Sequence, residues 1–287
     1  MKIRNIVQIV LLSFPVIASQ ALADGHDNGV RHYLSLGTSL SVGIQPDAAG
    51  INQLTDEGYA DQLHDIIAPT YGGKLKLWKL GCAGETTVTM IGGGKCDYEQ
   101  GSQLAQAVEF LRAHKQKVSI VTIDMGVNDV LAAGCIDAAN GIVNTGCLFV
   151  VFSQVSNNLV EIITTLKQAA HPDTQFVAMN YYNTFLAFWF NGLAGQTLAF
   201  QSAALANLLN DDILGATYNA FGIPVADVAA AFDSGNFGDS QVPGIPQNVL
   251  NICVFTYMCD PFPVGPNIHA NPTGYGVIAA TFASEIL

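Results

Sequence analysis

Residues 118–129, VSIVTIDMGVND, form the stretch that decides the fold class. Its first eight residues are mostly apolar and rich in β-branched side chains, and Gly126 ends the run. A short apolar run bounded by glycine is typical of a strand that is buried on both faces of a parallel sheet. The surrounding sequence therefore has to supply further strands and the helices that cover them.

Strand-like and helix-like patterns alternate along the rest of the chain. Further strands are predicted at residues 31–36, 75–80, 175–180 and 223–228. Helices are predicted at residues 59–67, 104–114, 148–170, 197–221 and 273–286. This alternation implies an α/β fold with a parallel sheet covered on both faces. No linker, repeat or change of composition divides residues 24–287, so one domain is the economical interpretation.

Composition and charge exclude several classes of protein. Hydrophobic residues make up 50% of the chain and charged residues only 12%, a balance that excludes a disordered protein. The 23 acidic and 11 basic residues give a net charge of −12, which repels a phosphate backbone. We therefore expect no nucleic-acid partner, and we expect neutral substrates rather than strongly anionic ones.

The first 23 residues have the pattern of a secretory signal peptide. Lys2 and Arg4 form a basic head, residues 6–18 form a short apolar run, and Ala21-Leu22-Ala23 provides a cleavage site. A membrane anchor is the alternative, but polar residues and a proline interrupt the run, which is too short to span a bilayer. The pattern predicts cleavage after Ala23, a secreted or periplasmic product and no stable membrane insertion.

The cysteines fit an exported protein. They fall in three local pairs, Cys82 and Cys96, Cys135 and Cys147, and Cys253 and Cys259. An even count in an oxidising compartment favours disulfides, and the nearest-neighbour pairing is the working hypothesis among the fifteen formal pairings. Zinc binding is disfavoured because the spacing of zinc-ligand cysteines is missing from the sequence.

Small and polar residues follow the predicted strands. Ser39 comes after a glycine turn at the end of the first strand, Gly84 lies in the loop after the second, and Asn128 follows the third. His269 precedes the last predicted helix. Ligands of open parallel sheets bind beyond the carboxyl ends of the strands, so we expect the residues after the strands to share one rim.

These residue types together match the requirements of acyl transfer. A serine hydroxyl is a poor nucleophile until a base removes its proton, and a histidine can do so near neutral pH. The transition-state oxyanion needs preorganised N–H donors. Candidate donors are the backbone N–H groups of Ser39 and Gly84 and the side-chain amide of Asn128, with His269 as the base.

Four short blocks, in this order, resemble those of the SGNH (GDSL-type) hydrolases. They are residues 33–41 (YLSLGTSLS), residues 84–87 (GETT), residues 126–129 (GVND) and the block around His269. The resemblance implies a flavodoxin-like three-layer α/β/α fold and Ser39 as nucleophile. It also implies an oxyanion hole of Ser39, Gly84 and Asn128, His269 as base, and neither metal nor cofactor.

Two positions depart from the family pattern. Thr38 stands where the family usually has an aspartate before the nucleophile, and Pro266 stands where it usually has an aspartate three residues before the histidine. Three groups could replace the second acid as the partner of the imidazole: a backbone carbonyl near Pro266, Asn267 or Asp260. We expect the carbonyl, with Asp260 second, because the imidazole N–H needs only an acceptor.

The sequence therefore predicts an exported serine esterase or lipase that hydrolyses carboxylic esters through an acyl-enzyme. Lipid-like or short-chain acyl esters are the expected substrates. A carbohydrate O-deacetylase or an acyltransferase would use the same site. A protein of another class, a non-catalytic binding protein that kept the fold, is the further alternative.

Overall fold

The computed structural model describes residues 29–287, so the predicted signal peptide lies outside the described residues. A parallel sheet of five strands forms its centre: β1 (Arg31–Gly37), β2 (Leu75–Lys79), β3 (Val118–Asp124), β4 (Gln175–Met179) and β5 (Val225–Ala226). The order across the sheet is 2-1-3-4-5, the order of flavodoxin-like folds. The predicted fold class is confirmed.

Helices and short turns connect the strands. The α-helices are α1 (Tyr59–Ile67), α2 (Thr87–Gly92), α3 (Gln103–Ala113), α4 (Val127–Ala132), α5 (Thr145–Ala169), α6 (Gly192–Asn207), α7 (Ala216–Ala220), α8 (Val228–Ala231), α9 (Gln247–Phe255) and α10 (Pro272–Ile286). Two 3₁₀ segments, Ala68–Tyr71 and Thr184–Asn191, and two small antiparallel hairpins, Ile44–Pro46 with Asn52–Leu54 and Ile136–Asp137 with Ile142–Val143, complete the described chain.

The helices form a layer on each face of the sheet. α1 packs against α10 on one side, and α3 packs against α5 on the other. α5 buries eight side chains from Leu148 to Ala169 at helical spacing, which explains why so apolar a helix is stable here. By length and composition α5 could also cross a membrane.

The predicted helix at residues 197–221 differs most from the structure. It begins earlier, at Gly192, and α6 gives way to a π-helical segment, Leu208–Gly215, before α7. Inside that segment the buried carboxamide of Asn210 bonds both the N–H and the carbonyl of Tyr181, just after β4. This long-range contact accompanies the irregular turn, and helical periodicity in the sequence does not report it.

Short elements were not predicted because they carry too few residues for a periodic pattern. The hairpins, the 3₁₀ segment Ala68–Tyr71, α2, α4 and α8 are all of this kind. The helix α9 and the 3₁₀ segment Thr184–Asn191 were also not predicted, although their lengths are close to that of α1. The strand predicted at residues 223–228 shrinks to Val225–Ala226, at the edge of the sheet.

Three disulfides brace loops that connect the layers. They join Cys82 to Cys96, Cys135 to Cys147, and Cys253 to Cys259, the nearest-neighbour scheme. The first ties the loop after β2 to the segment before α3. The third ties the end of α9 to the loop that leads to His269. Both therefore lie next to segments that carry predicted site residues.

Candidate active site

The predicted nucleophile lies where the order of the sheet reverses. β1 and β3 are neighbours, with Gly37 opposite Asp124 at their carboxyl ends. Ser39 follows β1, and Asn128 lies in the first turn of α4, just after β3. This is the position where flavodoxin-like sheets bind their ligands.

The turn that carries Ser39 is anchored from below by side chains distant in sequence. The N–H of Thr38 donates a hydrogen bond to Oδ1 of the buried Asp124. Gln103, also buried, brackets Gly37: its Oε1 accepts from the Gly37 N–H at 2.7 Å, and its Nε2 donates to the Gly37 carbonyl at 2.9 Å. The start of the turn is therefore held at two consecutive peptide groups.

Ser39, Asn128 and His269 line one cavity. Ser39 is 8% exposed and His269 is 7% exposed, so both polar side chains are largely withdrawn from water. Gly84 does not line this cavity. Its positive φ of 76° shows that it forms a tight turn in the loop after β2. The structure thus brings three of the four predicted site residues together.

Asn267 is the hydrogen-bond partner of the His269 imidazole. Its Oδ1 lies 2.7 Å from Nδ1 of His269 and also accepts the His269 backbone N–H at 3.0 Å. Its own Nδ2 donates to Oδ1 of Asn52 at 2.8 Å, which fixes the orientation of the amide. The expected backbone carbonyl near Pro266 was therefore the wrong choice, and so was Asp260, which lines a different groove.

Burial lowers the pKa of His269 to about 4. The cause is desolvation, which disfavours the charged imidazolium. The partner on Nδ1 is a neutral amide, so it does not offset this effect as a carboxylate would. The imidazole is neutral at physiological pH, which is the state that a general base requires.

The model of the GDSL-like lipase/acylhydrolase family matches residues 35–277. This range covers most of the chain and contains every site residue described above. The chain belongs to this family. It is a carboxylic ester hydrolase, as predicted from the sequence. No curated protein matches it in sequence.

Several solved structures share the fold of this GDSL-like hydrolase. The extracellular lipase of Streptomyces rimosus has a TM-score of 0.54 at 16% identity, covering 89% of this chain and 99% of its own. Phospholipase A1 of Streptomyces albidoflavus NA297 has a TM-score of 0.53 at 15% identity, and the match covers 89% of this chain and 99% of that one. Est24, a carbohydrate acetylesterase from Sinorhizobium meliloti, has a TM-score of 0.51 at 12% identity, and the match covers 89% of this chain and 98% of that one.

Hydrogen bonds connect the three loops of this GDSL-like hydrolase that carry the predicted oxyanion donors. Asn128 Nδ2 donates to the carbonyl of Glu85 at 2.9 Å. The carboxylate of Glu85 accepts from Gln103, which also holds Gly37. A continuous chain of bonds therefore runs from the nucleophile turn to the Asn128 amide. Such a network fixes the distance between groups that must act together.

In this GDSL-like hydrolase a second, apolar cavity, here called the annex, opens beside the cavity that Ser39, Asn128 and His269 line. The two cavities share five lining residues: Val127, Leu131, Tyr181, Tyr182 and Thr184. The annex continues between α4, α5 and α6, where its lining is mostly aliphatic and aromatic: Val130, Ile136, Leu148, Phe152, Leu205, Ala206 and Leu209 among others. Its chemistry suits a hydrocarbon group.

Sequence reasoning missed two residues that support the site of this GDSL-like hydrolase, Asp124 and Gln103, and did not favour a third, Asn267. Asp124 had a signal, since it is the lone charged residue of its strand. Gln103 had none, because a glutamine at the start of a helix is unremarkable until its partner is known. Asn267 was one of the alternatives, but the carbonyl and Asp260 were preferred to it; the direction of its side chain is fixed by Asn52, which is distant in sequence.

Proposed function

We propose that the protein is an exported serine esterase with Ser39 as the nucleophile and His269 as the general base. The observation that carries the proposal is that Ser39, Asn128 and His269 line one cavity although they come from distant parts of the chain. A nucleophile, a neutral base and an oxyanion donor around one space are the parts that acyl transfer needs.

In the acylation step, Nε2 of His269 takes the proton of the Ser39 hydroxyl while Oγ attacks the ester carbonyl carbon. The carbonyl oxygen becomes an oxyanion and accepts hydrogen bonds from the Ser39 backbone N–H and from Asn128. The side-chain nitrogen of Asn128 carries two hydrogens. It donates one to the Glu85 carbonyl, and the other is available to the oxyanion. Gly84 stays a predicted third donor.

The intermediate collapses when His269 returns the proton to the leaving alcohol oxygen, and the acyl group remains on Ser39. A water then attacks the acyl-enzyme, giving one proton to His269. Ser39 leaves with that proton, and the carboxylic acid is released. Throughout, Asn267 Oδ1 accepts the Nδ1 hydrogen and keeps Nε2 free for proton transfer.

The annex supports an ester whose acyl group is longer than acetyl. An acetyl group would reach Ser39 and leave the apolar annex without contacts, whereas each methylene buried there contributes about 0.8 kcal/mol. This favours lipid-like acyl esters over O-acetylated carbohydrates.

Export is supported by the disulfides and by the predicted signal peptide. Three bridges and no free cysteine in the described residues suit an oxidising compartment. One structural neighbour is itself described as an extracellular lipase.

Active-site labelling tests the proposal. A fluorophosphonate should attach to the native enzyme at Ser39, and Ser39→Ala should lose both the label and the turnover of p-nitrophenyl esters. Ser153→Ala, on the exposed side of α5, is the matched control and should keep both. Native protein that stays unlabelled and inactive on esters would favour a binding protein. Preference for an added alcohol over water as acceptor would indicate an acyltransferase.

A further inference from the structure

Asp124 is an acid in a place where a folded protein rarely keeps one. It ends β3, is completely buried, and lies opposite Gly37. Its Oδ1 accepts the hydrogen bond of the Thr38 N–H. Its Oδ2 is buried with no hydrogen-bond partner among the described residues.

We propose that Asp124 is a positioning residue for Ser39: its carboxyl holds the Thr38 amide and thereby sets the direction of the next residue, the nucleophile. The inference rests on the proposed role of Ser39. Asp124 does not line the catalytic cavity, so it acts on the reaction only through the turn.

Stability of the core does not explain why a carboxyl stands at this position. Burial raises the pKa of Asp124 well above its ordinary value, because desolvation outweighs the hydrogen bond from the Thr38 N–H. A buried carboxyl that is partly unsatisfied destabilises the fold relative to an apolar side chain of the same shape. The acid is therefore retained for the contact that it makes.

The nucleophile turn is built around this carboxyl. Gly37 has a φ of 138°, and a Cβ at that position would overlap the Asp124 carboxyl. Only glycine at position 37 therefore lets the end of β1 approach the Asp124 carboxyl this closely.

Small errors in the direction of Ser39 have large consequences for catalysis. Ser39 contributes both the attacking Oγ and an oxyanion N–H, so a rotation at Thr38 moves two reacting groups together. A misplacement of about 1 Å lowers catalysis on the order of 100-fold. Gln103 holds both peptide groups of Gly37 from α3, and Asp124 supplies the separate contact on the Thr38 N–H from the neighbouring strand.

Two substitutions at one position test the inference. Asp124→Asn keeps an oxygen that accepts the Thr38 N–H, whereas Asp124→Leu has a similar shape and no acceptor. We expect Asp124→Asn to retain kcat within about threefold and Asp124→Leu to lower kcat by about 10- to 100-fold with little change in KM. The rate of fluorophosphonate labelling at Ser39 should follow kcat, while both variants melt cooperatively.

The outcomes separate this inference from the proposed function. A native enzyme that is not labelled at Ser39 overturns the proposed function. A labelled native enzyme whose folded Asp124→Leu variant reacts equally fast overturns only the role of Asp124. An Asp124→Asn variant as impaired as Asp124→Leu overturns it too, because the acceptor is then not the feature that matters.

A second pair of variants serves if Asp124→Leu does not fold. Thr38→Asp adds a second carboxyl beside Asp124 and should lower kcat at least tenfold, because burial disfavours the charged form of both acids and the turn must shift to hydrate the new one. Combining Thr38→Asp with Asp124→Asn should recover most of that loss. Additive effects of the two substitutions would show that Asp124 and the turn are not coupled.

Discussion

Ser39 and His269, the proposed nucleophile and base, are held by different kinds of contact. Ser39 sits on a turn that is anchored by buried groups from other elements, Asp124 on β3 and Gln103 at the start of α3. His269 is oriented by Asn267, two residues earlier in its own loop. The nucleophile therefore depends on the assembled sheet, and the base depends on a local amide that Asn52 steadies from a hairpin.

The difference is also electrostatic. An acid lies beneath the nucleophile turn, whereas the contact on Nδ1 of the base is neutral. A carboxylate beside an imidazole stabilises the cation that forms during proton transfer, and an amide does so less. The contacts of the proposed base, His269, therefore favour a neutral and oriented imidazole over a strongly basic one.

Removing the base should give the largest effect. His269→Ala leaves the Ser39 hydroxyl without a proton acceptor, and we expect kcat to fall on the order of 10⁴-fold or more on p-nitrophenyl esters. His171→Ala, a histidine in the loop before β4, is the control and should retain native kcat. A small loss in His269→Ala would mean that another group removes the proton.

Removing the local support of the base should have a smaller effect. Asn267→Ala deletes the Nδ1 acceptor, so the imidazole can rotate and adopt the wrong tautomer, and we expect kcat to fall on the order of 100-fold. Asn140→Ala, an exposed asparagine in another loop, is the matched control. Steady-state kinetics on the folded variants measure the effect, and equal rates would place the orienting group elsewhere.

The pH dependence tests the electrostatic half of the comparison. With the His269 pKa lowered to about 4, the acid limb of kcat/KM for the native enzyme should lie well below pH 6.5, since the base loses activity only when it is protonated. Asn267→Asp places a carboxylate beside Nδ1 and should raise that limb by about 1–3 pH units. An unshifted limb would contradict a titrating His269.

Filling the annex should change selectivity more than chemistry. Ala206→Phe puts a ring into the annex, and we expect the ratio of kcat/KM for p-nitrophenyl octanoate over acetate to fall about tenfold or more. Ala204→Phe, exposed on the same helix, is the matched control and should leave the ratio unchanged. An unaltered ratio in the Ala206 variant would show that the acyl chain lies elsewhere.

Much of the frame was predictable from local pattern. Val118–Asp124 is a strand because a run of apolar, β-branched residues ends at a glycine, and the strands around it repeat that logic. Ser39, Asn128 and His269 could be selected because small and polar residues follow the strands or precede the last helix. Turn chemistry and strand ends are visible in a few adjacent residues, which is why the strands could be predicted and why these three residues, which line one cavity in the structure, could be named.

The supports of the site were not predictable in the same way. Gln103 contacts Gly37 across 66 positions of sequence, and Thr38 contacts Asp124 across 86. Such pairs depend on the register between parallel strands, which is settled only when the core closes. The orientation of Asn267 likewise depends on Asn52, at 215 positions' distance.

The amino-acid sequence by itself determined the strands of the central sheet, the main helices between them, and which residues have the chemistry of an ester hydrolase, because these properties depend on neighbours along the chain. Only the tertiary structure decided that the imidazole of His269 is hydrogen-bonded to an asparagine and that a buried aspartate is hydrogen-bonded to the turn that holds Ser39. It also decided that an apolar annex opens beside the site. Each of these is a contact between segments that meet through packing, and packing is a property of the whole chain.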